Sequence, residues 1–103
     1  MKNPNSSILL EEGASRFRNF IATGGVLSLS QDELRFRGKP GTEHMSNVEI
    51  PLKNVSEITC FRTLNINPNG ITLLMKDGEI EHFVVDDRKK WHKLLQRCLK
   101  ARV

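Results

Sequence analysis

The segment Asp86–Arg102 constrains the fold most, because it has the pattern of one amphipathic helix behind a series of strand-like segments. At roughly 100° per residue, five apolar side chains fall within an arc of about 140°, which predicts one buried face. They are Trp91, Leu94, Leu95, Cys98 and Leu99. Asp86 or Asp87 is predicted to cap the helix, since a carboxylate accepts from the free N–H groups of the first turn. No second helix is predicted, so the apolar arc must cover a sheet.

Most of the chain before this helix alternates apolar and polar residues with the period of two that strands have. One predicted hairpin places Leu34 and Phe36 on its inner face, and a later one has Asp77-Gly78 in its turn. Six or seven short antiparallel strands with frequent turns predict a sandwich or a small barrel. The fold class is therefore mainly β with one C-terminal helix, and Trp91 is predicted to plug an open end of the barrel.

Glycine and asparagine give three local predictions. Gly13-Ala14 suggests a bulge or a tight corner after a short first strand, Ile8–Glu12. The residues 24–25 are both glycine and are predicted to turn the chain, because glycine tolerates positive φ without strain. Asn65–Asn69 has the composition of a turn.

A chain of 103 residues is long enough for one domain with its own core. Residues 1–7 are predicted to be a disordered lead, and residues 8–102 a single domain. No apolar run approaches the roughly 20 residues that span a membrane. We therefore expect a cytoplasmic protein, with any membrane association peripheral.

The net charge of +4 is concentrated in the predicted helix, because residues 86–103 hold seven basic and two acidic side chains. Four of these cations share the face opposite the apolar arc: Lys89, Lys93, Arg97 and Lys100. One interpretation is a solvated face that keeps the protein in solution. The other is a surface for an anionic membrane or a protein partner.

A second basic group lies on predicted strands and comprises Arg16, Arg18, Arg35, Arg37 and Lys39. The spacing of two within each arginine pair puts both members on one face of a strand. Arginine forks of this kind can grip a phosphate or a carboxylate. The alternative is cross-strand pairing with acids such as Glu33 and Glu49.

Signatures of enzymes and metal sites are lacking in the sequence. His44, His82 and His92 have no spacing that makes two of them neighbours on a helix face. Cys60 and Cys98 stand in apolar patterns without CxxC spacing, and we expect both to be reduced core thiols. No phosphate-binding or nucleophile motif is present. The sequence predicts no enzyme activity, no cofactor and no metal.

Several motifs occur in the order and spacing of a GRAM domain, which the chain resembles over residues 8–99. They are the Gly24-Gly25 lead into Leu27 and Leu29, the Leu-x-Phe of Leu34 and Phe36, the Ile-Pro-Leu step at residues 50–52, and the strand-to-helix ending in Trp91. The resemblance implies the pleckstrin-homology-like fold, a seven-stranded, partly open barrel of two near-orthogonal antiparallel sheets closed by a C-terminal helix. Eukaryotic members are associated with membranes and with lipid head groups, usually as modules of larger proteins. This chain resembles a small standalone member.

The residues and the resemblance together predict a non-enzymatic binding module for a protein or an anionic lipid head group. The alternative is a self-associating or structural domain with no lipid role. The candidate partners are another protein, a second copy of the chain, or an anionic membrane lipid. Nucleic acid is disfavoured, because the chain has no tyrosine and no basic strand carrying exposed aromatic residues for stacking.

Overall fold

The computed structural model describes residues 8–18, 21–41, 47–63 and 67–100, and the predicted lead of residues 1–7 lies outside them. The described residues form seven strands, one 3₁₀ turn and one α-helix. The strands are β1 (Ile8–Arg18), β2 (Ile21–Ser30), β3 (Glu33–Gly38), β4 (Val48–Pro51), β5 (Val55–Thr63), β6 (Asn67–Met75) and β7 (Ile80–Val85). The 3₁₀ turn Leu52–Asn54 joins β4 to β5, and the helix, α1, is Arg88–Lys100.

The seven described strands form one sheet in the order β4-β3-β2-β1-β7-β6-β5. Every neighbouring pair is antiparallel. Two meanders, β1–β4 and β5–β7, are joined where β1 pairs with β7. The sheet is curled into a half-barrel with β4 and β5 as its edge strands. The predicted fold class is confirmed.

The concave face of the sheet holds the core, because alternate side chains of each strand point inward. Leu27 pairs with Phe36, and Leu29 with Leu34, so these four fully buried side chains share the inner face. The rings of Phe36 and Phe83 lie 5.7 Å apart between centroids, which links the two meanders through the core. The core is thus built from both halves of the sheet.

Helix α1 closes the half-barrel, as the sequence predicted. Trp91 and Leu95 are fully buried and Cys98 is 7% exposed, while Leu94 and Leu99 pack at the margin of the core. Asp87 caps the helix, since its Oδ1 accepts a hydrogen bond from the backbone N–H of Lys90 at 3.1 Å. The helix therefore begins directly after the capping residue Asp87.

The predicted β6–β7 hairpin is also confirmed. Gly78 has a φ of +94°, a conformation that L side chains rarely adopt, so the Asp-Gly turn depends on this glycine. The backbone N–H of Met75 donates to the carbonyl oxygen of Glu79 at 2.8 Å and closes the turn. Asp77 Oδ1 accepts from the backbone N–H of Glu79 at 2.9 Å.

The prediction that residues 24–25 turn the chain was wrong. Gly24 and Gly25 lie inside β2, opposite Ser15 and Ala14 of β1, and do not turn the chain. Glycine is needed at position 25 for a close approach: an added Cβ would overlap the Arg37 carbonyl oxygen of β3 and stand 2.8 Å from the Phe36 ring. In sequence, a pair of glycines has the same appearance whether it serves a turn or a crowded strand.

Strand β1 has no bulge at Gly13-Ala14, because its register with β2 is continuous from Leu10 to Arg18. The irregularity lies between Ile8 and Leu10 instead. Residues 67–69 belong to β6 and not to a turn, while residues 64–66 lie outside the described residues. Cys60 is exposed on β5, which corrects its assignment to the core; Cys98 is buried as predicted.

We expect Gly25→Ala to lower the free energy of unfolding by about 1–3 kcal/mol, because the added methyl group meets backbone that cannot move aside. Gly13→Ala is the matched control: it lies on β1 opposite β2, and its Cβ would stand 3.9 Å from the nearest atom, the Gly25 carbonyl oxygen. This control should change stability by less than about 1 kcal/mol. Urea denaturation followed by circular dichroism measures both. Equal stability of the two variants would contradict the crowding argument.

Candidate functional site

A groove of about 790 Å³ lies between the C-terminal half of α1 and the beginning of β5. Its floor is apolar and includes Val55 and Ile58 of β5 and Leu99 of α1. Its rim is polar and includes Ser56 and Gln96. The groove therefore offers an apolar base with hydrogen-bonding groups along both sides, a typical surface for an extended polypeptide.

Strand β5 makes one wall of the groove, and it is the last strand of the sheet. Within the part of the chain that the structure describes, β6 is its only strand partner. Alternate backbone N–H and C=O groups of an edge strand point away from the sheet and can pair with another strand. The wall thus presents backbone hydrogen-bonding capacity as well as side chains.

Two backbone hydrogen bonds hold the end of the groove that the 3₁₀ turn forms. The N–H of Lys76 donates to the carbonyl oxygen of Asn54 at 2.8 Å, which ties the turn after β6 to the 3₁₀ turn. The N–H of Leu52 donates to the carbonyl oxygen of Asp32 at 2.9 Å. These bonds join segments distant in sequence, so the groove is a product of tertiary structure.

The opposite wall is α1, and Glu12 of β1 fixes its position. Glu12 Oε1 accepts from Trp91 Nε1 at 3.0 Å, and Glu12 Oε2 lies 2.6 Å from Lys90 Nζ. One carboxylate therefore binds two consecutive helix residues, one buried and one exposed. This contact lies at the N-terminal part of α1, so the C-terminal half remains available to line the groove.

The hydrogen bond from Lys90, followed by that from Trp91, lowers the pKa of Glu12 below its ordinary value of 4.5. The same contact with Glu12 raises the pKa of Lys90. Because the Glu12 carboxyl has a lower pKa when folded, its contribution to stability is present above pH 4.5. That contribution is lost as the pH falls through the folded pKa.

We expect Glu12→Gln to reduce stability at pH 7 and to flatten the dependence of stability on pH below 4.5. The amide can still accept from Trp91, but it has no charge to pair with Lys90. Thermal melting from pH 7 to pH 3 measures this, with Glu11→Gln as the control because the Glu11 carboxylate is exposed and accepts from Ser28 of β2. A parallel fall in melting temperature for wild type and Glu12→Gln would contradict the prediction.

The basic strip of α1, defined as Lys89, Lys93, Arg97 and Lys100, is exposed along its whole length. Within residues 8–18, 21–41, 47–63 and 67–100, no acidic side chain pairs with any member of the strip. Lys100 also lines the groove. The strip therefore runs along the outside of the helix and reaches the groove at its C-terminal end.

The structure distributes the strand cations over both faces of the sheet. Arg16 pairs with Thr23 of β2, and Thr23 shares the inner face with Leu27, so Arg16 and Arg18 belong to the inner face. Arg35 and Arg37 alternate with inward-facing residues of β3 and point outward. Each arginine pair shares one face, as predicted from its spacing, and the two pairs face opposite ways.

Arg16 is buried, with 5% of its surface exposed. Its Nε donates to Glu81 Oε1 at 2.9 Å and its Nη2 donates to Glu81 Oε2 at 2.8 Å, a two-point ion pair between β1 and β7. A bidentate pair of this kind fixes both the distance and the angle between the strands that carry it. Arg16 thus serves to join the two meanders.

Arg35 lies among acids. Its Nη2 is 3.0 Å from Glu33 Oε1, and its Nε is 3.4 Å from Glu49 Oε2. The alternative interpretation from the sequence, neutralisation by neighbouring acids, holds for this residue, with Glu49 across on β4 and Glu33 on β3 itself. Burial raises the pKa of Glu33, with further contributions from the negative charges of Glu49 and Asp32. The surroundings of Arg35 are therefore acidic and do not attract an anion.

Arg18 and Arg37 are both exposed, but on opposite faces. Arg37 and Lys39 line a shallow outer hollow of about 480 Å³, which also contains the carboxylate of Glu11. Glu11 accepts from Ser28 Oγ at 2.6 Å and sets a negative charge in the hollow. Arg37 and Lys39 thus share one concavity with an acidic side chain.

The two described histidines, His82 and His92, lie beside neutral polar side chains. His82 Nδ1 lies 2.9 Å from Thr72 Oγ1, and His92 Nε2 lies 3.5 Å from Gln96 Nε2. His44 lies outside the described residues. Within the described ranges, no group of three His, Cys, Asp or Glu side chains could hold a metal ion. Also among those residues, no helix has the length and apolar character needed to cross a bilayer.

Comparison with solved structures identifies the architecture. The Vps36 N-terminal PH domain superimposes with a TM-score of 0.75 at 9% identity, covering 98% of this chain and 84% of that one. The chain has the pleckstrin-homology-like fold. The Slm1 PH domain in complex with inositol-4-phosphate gives a TM-score of 0.64 at 13% identity, over 90% and 95% of the two chains. A C-terminal domain of an unknown protein from Leishmania infantum gives 0.80 at 12% identity, over 91% and 84%.

Sequence comparison adds no narrower assignment, since no protein-family model and no curated protein matches the chain. At 9–13% identity, the likeness to the solved structures shows the fold alone. The residues that line the groove therefore have to be interpreted from their own chemistry.

Proposed function

We propose that this protein is a non-enzymatic, GRAM-like binding module in the cytoplasm, forming a single domain over residues 8–102. Its principal function is to bind an extended segment of a protein in the groove between β5 and α1. The observation that carries the proposal is the coincidence of an apolar floor with an edge strand in one groove. A bound segment can add to the sheet through backbone hydrogen bonds and place alternate side chains on Val55, Ile58 and Leu99.

The dimensions of the groove agree with this function. The groove, about 790 Å³ in volume, lies beside the edge strand β5. The β5 residues that line it, 55–58, are consecutive and would contact about four residues of a paired strand. Main-chain pairing provides affinity, and the apolar floor provides selectivity for alternate side chains.

Selection from a random library of nine-residue peptides tests the proposal. Ser56→Trp should abolish enrichment of peptides, because Ser56 is exposed and lines the groove, so that an indole there would fill it. Thr59→Trp is the matched control, since Thr59 is exposed on the same strand but does not line the groove. The proposal fails if the wild type enriches no peptide, or if Ser56→Trp retains the enriched peptides.

A second candidate function is peripheral binding to anionic membranes, and the exposed basic strip of α1 favours it. Each Lys or Arg near an anionic bilayer contributes about 1 kcal/mol, so four together are sufficient for measurable binding. The fold is shared with the Slm1 PH domain, whose structure contains inositol-4-phosphate. Vesicles of phosphatidylcholine with and without phosphatidylserine test this function by flotation. If flotation depends neither on phosphatidylserine nor on salt concentration, electrostatic binding to anionic membranes is excluded.

A further inference from the structure

We propose that the segment bound in the groove is acidic, with glutamate or aspartate alternating with apolar residues. This inference rests on the proposed peptide-binding function and specifies the chemistry of the partner. Three lysines from three different elements surround the groove: Lys53 in the 3₁₀ turn, Lys76 after β6, and Lys100 in α1. All three are exposed, and no acid of the described residues pairs with them.

The opposing charges near the groove are too few to neutralise these lysines. Glu57 is the one acidic side chain among the groove-lining residues that the structure describes. The C-terminal end of α1 adds a partial charge of about −0.5 from the helix dipole. Lys93 and Arg97 extend the positive surface from Lys100 along the helix. About one and a half positive charges therefore remain over the groove itself, and Lys93 and Arg97 add two more along the adjacent part of the strip.

The placement of the lysines matches the geometry of a bound strand. In a strand that adds to β5, alternate side chains would face the apolar floor, and the others would face outward toward the rim. Val55, Ile58 and Leu99 would receive the first set. The second set would stand among Lys53, Lys76 and Lys100, where a carboxylate gains attraction and a cation is repelled. The alternation of acidic and apolar residues in the ligand therefore follows from the apolar floor of the groove and the lysines at its rim.

Three synthetic nine-residue peptides test this inference. Each carries valine at alternate positions, with glutamate, serine or lysine between, and binding is measured by fluorescence anisotropy. We expect the glutamate peptide to bind roughly tenfold more tightly than the serine peptide at low salt, since several exposed ion pairs act together. The lysine peptide should bind most weakly. The preference should shrink in about 1 M salt, where the screening length falls to about 3 Å.

Two double variants test whether the preference for the glutamate peptide arises from the lysines around the groove. Lys53→Gln with Lys76→Gln should weaken the glutamate peptide about fivefold and leave the serine peptide unchanged. Arg18→Gln with Arg37→Gln removes the same charge from exposed positions of which neither lines the groove, and should leave both peptides unchanged. Backbone amide shifts of residues 55–58 in NMR spectra report whether the peptide occupies the groove.

The possible results distinguish a failure of the acidic preference from a failure of the proposed peptide-binding function. If the serine and glutamate peptides bind in the groove equally, the acidic preference is overturned and the peptide-binding function stands. Equal loss in both double variants would show attraction by net charge alone and would also overturn the preference. If no peptide shifts residues 55–58, the peptide-binding function itself is wrong. Binding of phosphatidylserine vesicles in that case would identify a membrane as the partner.

Discussion

Replacing Trp91 with alanine is expected to lower the free energy of unfolding by about 3–5 kcal/mol, the cost of removing a large buried aromatic side chain. Trp91 is fully buried at the point where α1 meets the half-barrel. Small domains have a total stability of about 5–15 kcal/mol, so this single change should remove a large share of it. The variant should melt at a far lower temperature, and its helix should be the part most affected.

The loss has two physical parts, which a second variant separates. Trp91→Phe keeps an aromatic ring in the core but removes the indole N–H that donates to Glu12. We expect its stability to lie between those of the wild type and Trp91→Ala. Urea denaturation followed by far-UV circular dichroism is suitable, because the chain has a single tryptophan and the variants lack its fluorescence. A Trp91→Ala protein within 1 kcal/mol of the wild type would show that the helix is not held by this side chain.

Trp91 also shows why parts of this fold can be predicted from the sequence. The helical period, the Asp87 cap and the apolar arc are all local features, and each agrees with the structure. The Asp-Gly turn at residue 78 is local too, since its chemistry requires positive φ wherever it occurs. With strands on one side and a single amphipathic helix on the other, few arrangements bury both apolar faces.

The failures concern features that depend on residues far away in the chain. Gly25 is needed because β3 approaches it closely, and nothing near it in sequence shows that approach. Cys60 has apolar neighbours, but it lies on an edge strand and is exposed. Arg16 has the same alternating spacing as the exposed arginines, and only the pairing of β1 with β7 brings Glu81 to it.

The groove could be predicted in place but not in composition. A helix lying beside an edge strand implies a groove between them, and this much follows from the predicted fold. Its lysines come from segments separated by more than 20 residues, Lys53, Lys76 and Lys100, and no local pattern connects them. The fold brings these scattered lysines together around the groove. The sequence, read for its excess of basic residues on α1 alone, therefore did not reveal this positive surface.

The second large effect concerns the ion pair between Arg16 and Glu81. We expect Arg16→Met to lower the free energy of unfolding by about 3–5 kcal/mol, because it leaves the Glu81 carboxylate largely buried without its partner. Glu81→Leu should cost a similar amount by leaving a buried guanidinium. The double variant should be closer to the wild type than either single variant, since it removes both charges and fills the space with apolar groups.

This double-mutant cycle also distinguishes a structural arginine from a ligand-binding one. If Arg16 acted only by pairing with Glu81, then the coupling energy between the two positions would account for most of its effect. An arginine that held an anion would instead make the wild type, but not the double variant, more heat-stable in the presence of inositol phosphate. We expect equal melting shifts for both proteins, because the two donors that Arg16 directs at Glu81 are not available to a second anion. A rise in melting temperature with inositol phosphate that occurs only in the wild type would show that Arg16 binds the anion.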